Sequence, residues 1–77
     1  MHHLYTIKTD DLIEFDYVNW KNEKGHRKVM VMDFYYGSTE YHPENQWLLR
    51  AFDIDKSEER FFAMKDISNI QYLYKEY

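Results

Sequence analysis

The sequence predicts a mostly β domain, folded as a small antiparallel barrel or strongly bent sheet of about five strands. Apolar and polar residues alternate along several segments, which is the period of a half-buried strand. Short polar turns separate these segments, and aromatic residues, which strands favour, make up 19% of the chain. Because 77 residues support only one core, we treat residues 1–77 as a single domain with its core within 12–74.

The first two strands are predicted on either side of a polar loop. Leu12–Val18 alternates, with Ile13, Phe15 and Tyr17 on one face and Glu14 and Asp16 on the other. Residues 19–25 are polar apart from Trp20 and end in glycine, which is typical of a hairpin loop. Arg27–Tyr36 is rich in β-branched and aromatic residues, and its near-continuous apolarity predicts that both faces of this strand are covered.

The middle of the chain is the least regular part. Residues 37–39 are Gly, Ser and Thr, which are expected to break the second strand. Residues 41–45 continue this irregular segment, because Pro43 has no backbone donor and restrains His42 to an extended geometry. Binding residues are concentrated on such loops, so we expect a site here.

Gln46–Ile54 is the third strong strand. Its alternation places Trp47, Leu49 and Ala51 on one face and Arg50 on the other. Trp47 is therefore expected to be a buried core anchor.

The last third of the chain reads as a second hairpin and a closing strand. A charged turn at 55–58 leads into a strand at Arg60–Met64, and residues 65–67 are expected to form one helical turn. Ile70–Tyr74 alternates again and is predicted as the closing strand of the sheet. A further short strand is predicted at Leu4–Ile7.

Composition excludes several classes of protein. The net charge of −4 weighs against indiscriminate binding to duplex DNA or anionic membranes. The absence of cysteine excludes disulfides and cysteine-based zinc sites, and His26 and His42 have no third ligand at a suitable spacing. No apolar run is long enough to span a membrane and the first twenty residues lack a signal-peptide core, so we expect a cytoplasmic protein without metal or cofactor.

No catalytic motif is present in the sequence. It has no nucleophile elbow, no histidine and glutamate run for a metal, and no glycine loop for a phosphate. An enzyme using His42 and Glu44 is the weakest hypothesis, because a general base needs a positioned partner and usually a nucleophile or metal. We therefore expect a binding protein that is not an enzyme.

Two segments carry a resemblance to a known family. Residues 46–53 read QWLLRAFD, and after a tight turn residues 60–67 read RFFAMKDI. This pair resembles the core signature of the WYL domain family, named for a Trp-Tyr-Leu triplet that corresponds here to residues 47–49. Further matches to the family are Tyr17, Arg27, Ala51, Arg60, Phe62 and Ile67.

The resemblance covers about residues 12–70 and implies an SH3-like or Sm-like barrel. It also implies a ligand-sensing regulatory role, with nucleotides or single-stranded nucleic acid as the ligand class. Family members commonly follow a DNA-binding helix-turn-helix, whereas the eleven residues before Leu12 leave no room for one. We therefore expect a stand-alone module, of a kind that suits a phage or mobile element. A second departure is Leu48, where the family has tyrosine.

The three arginines are the main candidate ligand contacts. Arg27, Arg50 and Arg60 are expected to bind phosphate or carboxylate, which a planar guanidinium does in bidentate fashion. The alternative is that each pairs with a carboxylate on an adjacent strand, such as Asp33 or Asp53, or Glu14 or Asp16. Tyr41 and His42 are expected to shape the rim of the site.

Exposed aromatic residues keep a second function open. Trp20 and Tyr35 are candidates for stacking a base or seating a partner, although Trp20 is also suited to capping the end of a barrel. The eight tyrosines favour an interface between copies of the chain or with another protein. The leading hypothesis is a sensor, modulator or sponge for a nucleotide-like ligand, and the alternative is a protein-interaction or homo-oligomerising adaptor.

Overall fold

The computed structural model describes residues 7–74, which form one five-stranded antiparallel sheet in the order β4-β3-β2-β1-β5. The strands are β1 (Leu12–Val18), β2 (Lys24–Thr39), β3 (His42–Asp53), β4 (Glu58–Ala63) and β5 (Ile67–Tyr74), with a 3₁₀ turn at Met64–Asp66. The prediction of a mostly β chain is confirmed. The strand predicted at Leu4–Ile7 lies outside the described residues except for Ile7, which is not in a strand.

The sheet is strongly curled, because consecutive strands lie at its opposite edges. β4 ends at Ala63 and β5 begins at Ile67, so four Cα steps, about 15 Å at most, join the two outer strands. The outer strands of a flat five-stranded sheet would lie about 19 Å apart. Among the described residues β4 and β5 do not pair with each other, so the sheet is not closed.

The core lies on the concave side of the curled sheet. Phe62 packs edge-to-face against Phe15 and Tyr17, with ring centroids 5.3 and 5.0 Å apart. The buried Tyr17 hydroxyl accepts a 2.8 Å hydrogen bond from the Ala63 backbone N–H, which links β1 to β4 across the interior. The other buried apolar residues of this core are Ile7, Ile13, Val29, Val31, Leu49 and Ala51.

Strand bounds were predicted best where alternation is strict. β1 has the predicted bounds, and its odd positions are buried as expected. The expectation that both faces of β2 are covered is wrong, since Met30, Tyr35 and Tyr36 are exposed. No second layer of described residues packs on the convex side, because all five strands belong to one sheet.

The predicted irregular segment is mostly strand. Residues 37–39 belong to β2 and residues 42–45 to β3, and only Glu40 and Tyr41 form the turn between them. Pro43 is tolerated because the ladder shifts register opposite it and β4 pairs with β3 only from Leu48 onward.

Trp47 is not a core anchor, and that prediction is wrong. Leu49 and Ala51 are buried on its face of the strand, but Trp47 is 56% exposed. The reason is where β4 ends. Its last residue, Ala63, pairs with Leu48, so Trp47 has no β4 residue beside it. Its ring packs against the Tyr36 ring near the end of the β2–β3 hairpin, with the centroids 5.3 Å apart.

The remaining elements lie close to their predicted positions. The turn after β3 covers residues 54–57, and the single helical turn begins at Met64, one residue earlier than expected. Within residues 7–74 this three-residue turn is the only helical element, and no helix there is long and apolar enough to cross a membrane.

Candidate ligand-binding groove

A groove of about 600 Å³ runs between the β1–β2 loop, the tip of the β2–β3 hairpin and strand β4. The residues that define its floor, mouth and walls are Tyr17, Trp20, Tyr41, His42, Arg60 and Phe61. Four of these, Trp20, Tyr41, His42 and Arg60, were predicted as site residues from the sequence. The structure brings these four together.

The loop that carries Trp20 is shaped by one asparagine. The side-chain oxygen of Asn19 accepts hydrogen bonds from the backbone N–H groups of Lys21 and Glu23, both at 2.9 Å. Asn22 adopts a positive φ of 64°, which asparagine tolerates better than most residues. These bonds hold the loop in one conformation and present the Trp20 ring, which is 57% exposed, to the groove. Trp20 therefore does not act as a buried cap.

An aromatic pair stands at the mouth of the groove. The rings of Trp20 and Tyr41 have centroids 5.4 Å apart and are tilted by 31°, and both are more than half exposed. The Lys21 ammonium lies 5.2 Å from the Trp20 ring centroid. On the hairpin side, the Thr39 hydroxyl accepts hydrogen bonds from the N–H groups of Tyr41 and His42 at 3.3 and 3.1 Å, which fixes the turn.

His42 forms a buried wall of the groove. Its residue exposure is only 8%, and this burial lowers the pKa of the imidazole below its usual value. The charge of Asp66 and, more weakly, a hydrogen bond to the Phe61 backbone act in the opposite direction, but burial is the larger influence. The imidazole is therefore neutral near pH 7 and offers a ligand one donor and one acceptor at most.

Arg60 supplies a cation on β4. Its Nη1 donates to Glu58 Oε2 at 3.1 Å, an ion pair between two partly exposed side chains. Such pairs contribute about 1 kcal/mol or less, so a ligand anion competes with Glu58 readily. The guanidinium has further N–H donors for that purpose.

Arg27 lies beside the floor of the groove and not in its lining. Its guanidinium carbon is 5.9 Å from the Tyr17 ring centroid, and Nη1 donates to the His26 carbonyl at 3.1 Å. Within residues 7–74 no carboxylate lies at ion-pair distance from Arg27, and its buried Nε has no partner. Gly25 permits this position, since a Cβ there would lie 2.6 Å from Nη1.

Tyr17 forms the floor of the groove. Burial raises the pKa of its hydroxyl, and the hydrogen bond from the Ala63 N–H is the largest effect in the opposite direction. The charge of Asp66 adds to the rise, whereas the charges of Arg27 and Arg60 act against it more weakly.

Arg50 lies outside the groove, although the sequence predicted it as a site residue. Its side chain points to the convex face and binds Asp33 through Nε and Nη2 at 2.9 and 3.0 Å, and Glu59 through Nη1 at 3.1 Å. These carboxylates raise its pKa further above its usual range. The alternative of pairing with an adjacent-strand carboxylate describes Arg50 correctly.

Tyr35 also lies away from the groove. Its ring packs 5.7 Å from the ring of Phe61 and covers Gly37, where a Cβ would lie 2.6 Å from Tyr35 Cε2. The ring is 46% exposed on the convex face, so it remains available to a partner but not to a ligand in the groove.

Sequence reasoning missed Tyr17 and Phe61 as groove residues. Tyr17 had a recognisable signal, because a tyrosine on an apolar strand face needs a partner for its hydroxyl. Phe61 had none, since alternation places its side chain on the convex face, opposite Arg50 and beside the Tyr35 ring.

Among residues 7–74 no three His, Asp or Glu side chains are grouped so as to hold a metal ion. No family model, no curated protein and no solved structure matches the chain.

Proposed function

We propose that this chain is a non-catalytic, WYL-like binding module that recognises a nucleotide-derived or short single-stranded nucleic acid ligand in the groove. The sequence pattern of residues 46–53 and 60–67 supports the family assignment. The curl of the sheet and the short connection between its outer strands support a barrel of the SH3-like or Sm-like type. Such a module acts as a sensor, modulator or sponge.

The observation that carries this proposal is the aromatic pair beside two cations. A base stacks on the exposed faces of Trp20 and Tyr41, an interaction that contributes about 1–3 kcal/mol per base in single-strand binding proteins. Lys21 and Arg60, which line the same groove, are placed to meet the phosphate. The neutral His42 imidazole adds a hydrogen-bonding group to the wall.

The charge of the lining limits the size of the ligand. Lys21 and Arg60 are the cations of the groove, and its carboxylates are Glu23, Glu40, Glu58 and Glu59. The excess of negative charge opposes a long polyanion, whose binding depends on many phosphate contacts. We therefore expect a mononucleotide-like ligand or a very short strand.

Isothermal titration calorimetry with a panel of mono-, di- and short oligonucleotides tests the proposal. Arg60→Ala should weaken binding by about tenfold or more, since a charge-assisted hydrogen bond to phosphate is lost. Arg50→Ala is the matched control, because Arg50 lies on the adjacent strand but on the convex face, and binding should stay unchanged. Absence of wild-type binding across the panel would contradict the ligand class, and equal losses in both variants would contradict the groove.

A second candidate function has an observation of its own. Tyr36 and Trp47 form an exposed edge-to-face pair at the end of the hairpin, outside the groove lining. Tyrosine and tryptophan are enriched in protein interfaces, so this pair favours a protein-interaction module. A nucleotide titration that shows no heat, combined with capture of a partner lost in Trp47→Ala, would favour this candidate.

A further inference from the structure

A second cavity, of about 380 Å³, adjoins the groove and is bounded by the 3₁₀ turn at Met64–Asp66. The residues that line both spaces are Asn19, Trp20, Tyr41 and His42. The aromatic pair and the His42 wall therefore lie between two neighbouring spaces, each of a size that holds a small ligand. We call the second space the side cavity.

The side cavity offers a phosphate less than the groove does. Lys65 is its only cation among the described residues, and it stands beside two carboxylates, Glu44 and Asp66. The two cations that are placed to meet a phosphate, Lys21 and Arg60, line the groove and not the side cavity. The side cavity is therefore suited to an uncharged group.

A hydrogen-bond acceptor in the wall of the side cavity lacks a partner. Gln46 lines this cavity but not the groove, and its Nε2 donates to the Glu44 carbonyl at 3.1 Å. Its Oε1 is buried and has no hydrogen-bond partner within residues 7–74. A buried acceptor without a partner costs free energy, and a ligand N–H would remove that cost. Nucleic acid bases carry such N–H groups on their edges.

We propose that the side cavity binds the second base of a dinucleotide whose first nucleotide occupies the groove. The two bases contact the Trp20–Tyr41 pair from its two sides, and the phosphodiester between them passes this pair. Pro43 gives the second base an apolar contact, and the partly exposed Gln46 side chain turns to offer Oε1 to one of its N–H groups. This inference rests on the proposed function and narrows its ligand class to two linked nucleotides.

A dinucleotide suits the two spaces better than a shorter or a longer ligand. A mononucleotide in the groove leaves the side cavity empty and Gln46 Oε1 without a donor. A longer strand brings additional phosphates to a lining that is rich in carboxylates. These carboxylates are Glu23, Glu40, Glu44, Glu58, Glu59 and Asp66.

Calorimetric titration of the full chain with three kinds of ligand tests the inference. The ligands are 5′-mononucleotides, nucleoside 3′,5′-bisphosphates and 5′-phosphorylated dinucleotides of all base combinations. The best dinucleotide should bind about tenfold or more tightly than its mononucleotide, because the second base adds a stacking contact. The bisphosphate adds charge without a base and should give no such gain.

The outcomes separate this inference from the proposed function. Equal affinities of mononucleotides and dinucleotides would overturn the inference and leave the proposed function standing. An equal gain from the bisphosphate would do the same, because the gain would then come from charge. Absence of binding by every ligand would overturn the proposed function and the inference with it.

One substitution assigns the second base to the side cavity. Gln46→Met removes the acceptor at nearly constant side-chain length, and should weaken dinucleotide binding by about fivefold without affecting the mononucleotide. Gln71→Met is the matched control, because Gln71 is exposed on β5, lines neither space and should bind both ligands like wild type. Arg60→Ala should weaken both ligands alike. Unchanged dinucleotide binding in Gln46→Met, or an equal loss for both ligands, would overturn the assignment.

Discussion

The sheet has two parts that share one sequence pattern but differ in burial. In the five-stranded part, alternate positions such as Phe15, Leu49 and Phe62 are almost completely buried. In the two-stranded end of the hairpin, residues 36–47, the same alternation continues but Tyr36 and Trp47 are more than half exposed. Alternation therefore assigns a side chain to a face of the sheet, and the neighbouring strands decide whether that face is covered.

The largest difference between the two parts should appear in core truncations. Phe62→Ala removes a ring that contacts both Phe15 and Tyr17, and should lower the free energy of unfolding by about 3–5 kcal/mol. Trp47→Ala removes an exposed ring and should cost about 1 kcal/mol or less. Urea denaturation of both variants measures these changes, and similar costs for the two would show that the hairpin end shares the core.

The next largest effect on stability should come from removal of the Tyr17 hydroxyl. Tyr17→Phe leaves the buried Ala63 N–H without its acceptor and should cost about 1–3 kcal/mol. Tyr36→Phe changes the same atom at the exposed end and should be nearly neutral. Chemical denaturation of the pair checks the difference, and a neutral Tyr17→Phe would mean that the N–H finds another acceptor.

The surface ion pairs of Arg50 and Arg60 should contribute less to stability than the Phe62 ring or the Tyr17 hydroxyl. Arg50→Ala removes three hydrogen bonds to Asp33 and Glu59, whereas Arg60→Ala removes one to Glu58. Arg50→Ala should lower the denaturation midpoint slightly, and Arg60→Ala should hardly change it. High salt should reduce the difference between the two midpoints, because these charges are exposed. A midpoint difference that persists in high salt would point to a packing role for the Arg50 side chain.

The two histidines in strands should give pH effects of opposite sign. Hydrogen bonds to Asp16 and then Glu14 raise the pKa of His26 above 6.5, so its contribution to stability is present below pH 6.5 and is lost as pH rises through the folded-state value. Burial lowers the pKa of His42 below 6.5, so stability is lost as pH falls from 6.5 through the folded-state value.

Thermal unfolding between pH 5 and pH 8 separates the two histidines. His26→Gln should remove the loss on the alkaline side, and His42→Gln should remove the loss on the acidic side, since each variant deletes one titrating group. The assignment fails if either variant leaves its own side of the profile unchanged.

Much of the fold could be predicted because local patterns dictate it. β1 alternates strictly, and its bounds and buried face were both predicted correctly. Trp47 was placed on the correct face but at the wrong depth, because burial depends on where β4 ends and no local pattern reports that. The long β2–β3 hairpin was missed since Gly37 and Pro43, which usually end strands, lie where the ladder is already irregular.

The site was predicted in part for a related reason. Trp20, Tyr41, His42 and Arg60 lie in one groove although 40 residues separate the first from the last. The presence of an arginine on a strand could not show that Arg60 lies in the groove and Arg50 outside it, because that depends on which face of the sheet is concave. Period-2 alternation put Arg50 opposite the core face, and the curl of the sheet then placed it on the outside.

The two tryptophans offer the most direct test of the central claim, that the groove and not the hairpin end binds a nucleotide-like ligand. They are equally exposed, at 57% and 56%, but only Trp20 lines the groove. In Trp47→Phe the remaining Trp20 fluorescence should change saturably on nucleotide titration, since a base stacks on its ring. In Trp20→Phe the Trp47 fluorescence should stay constant. A response from Trp47 alone, or from neither residue, would contradict the account.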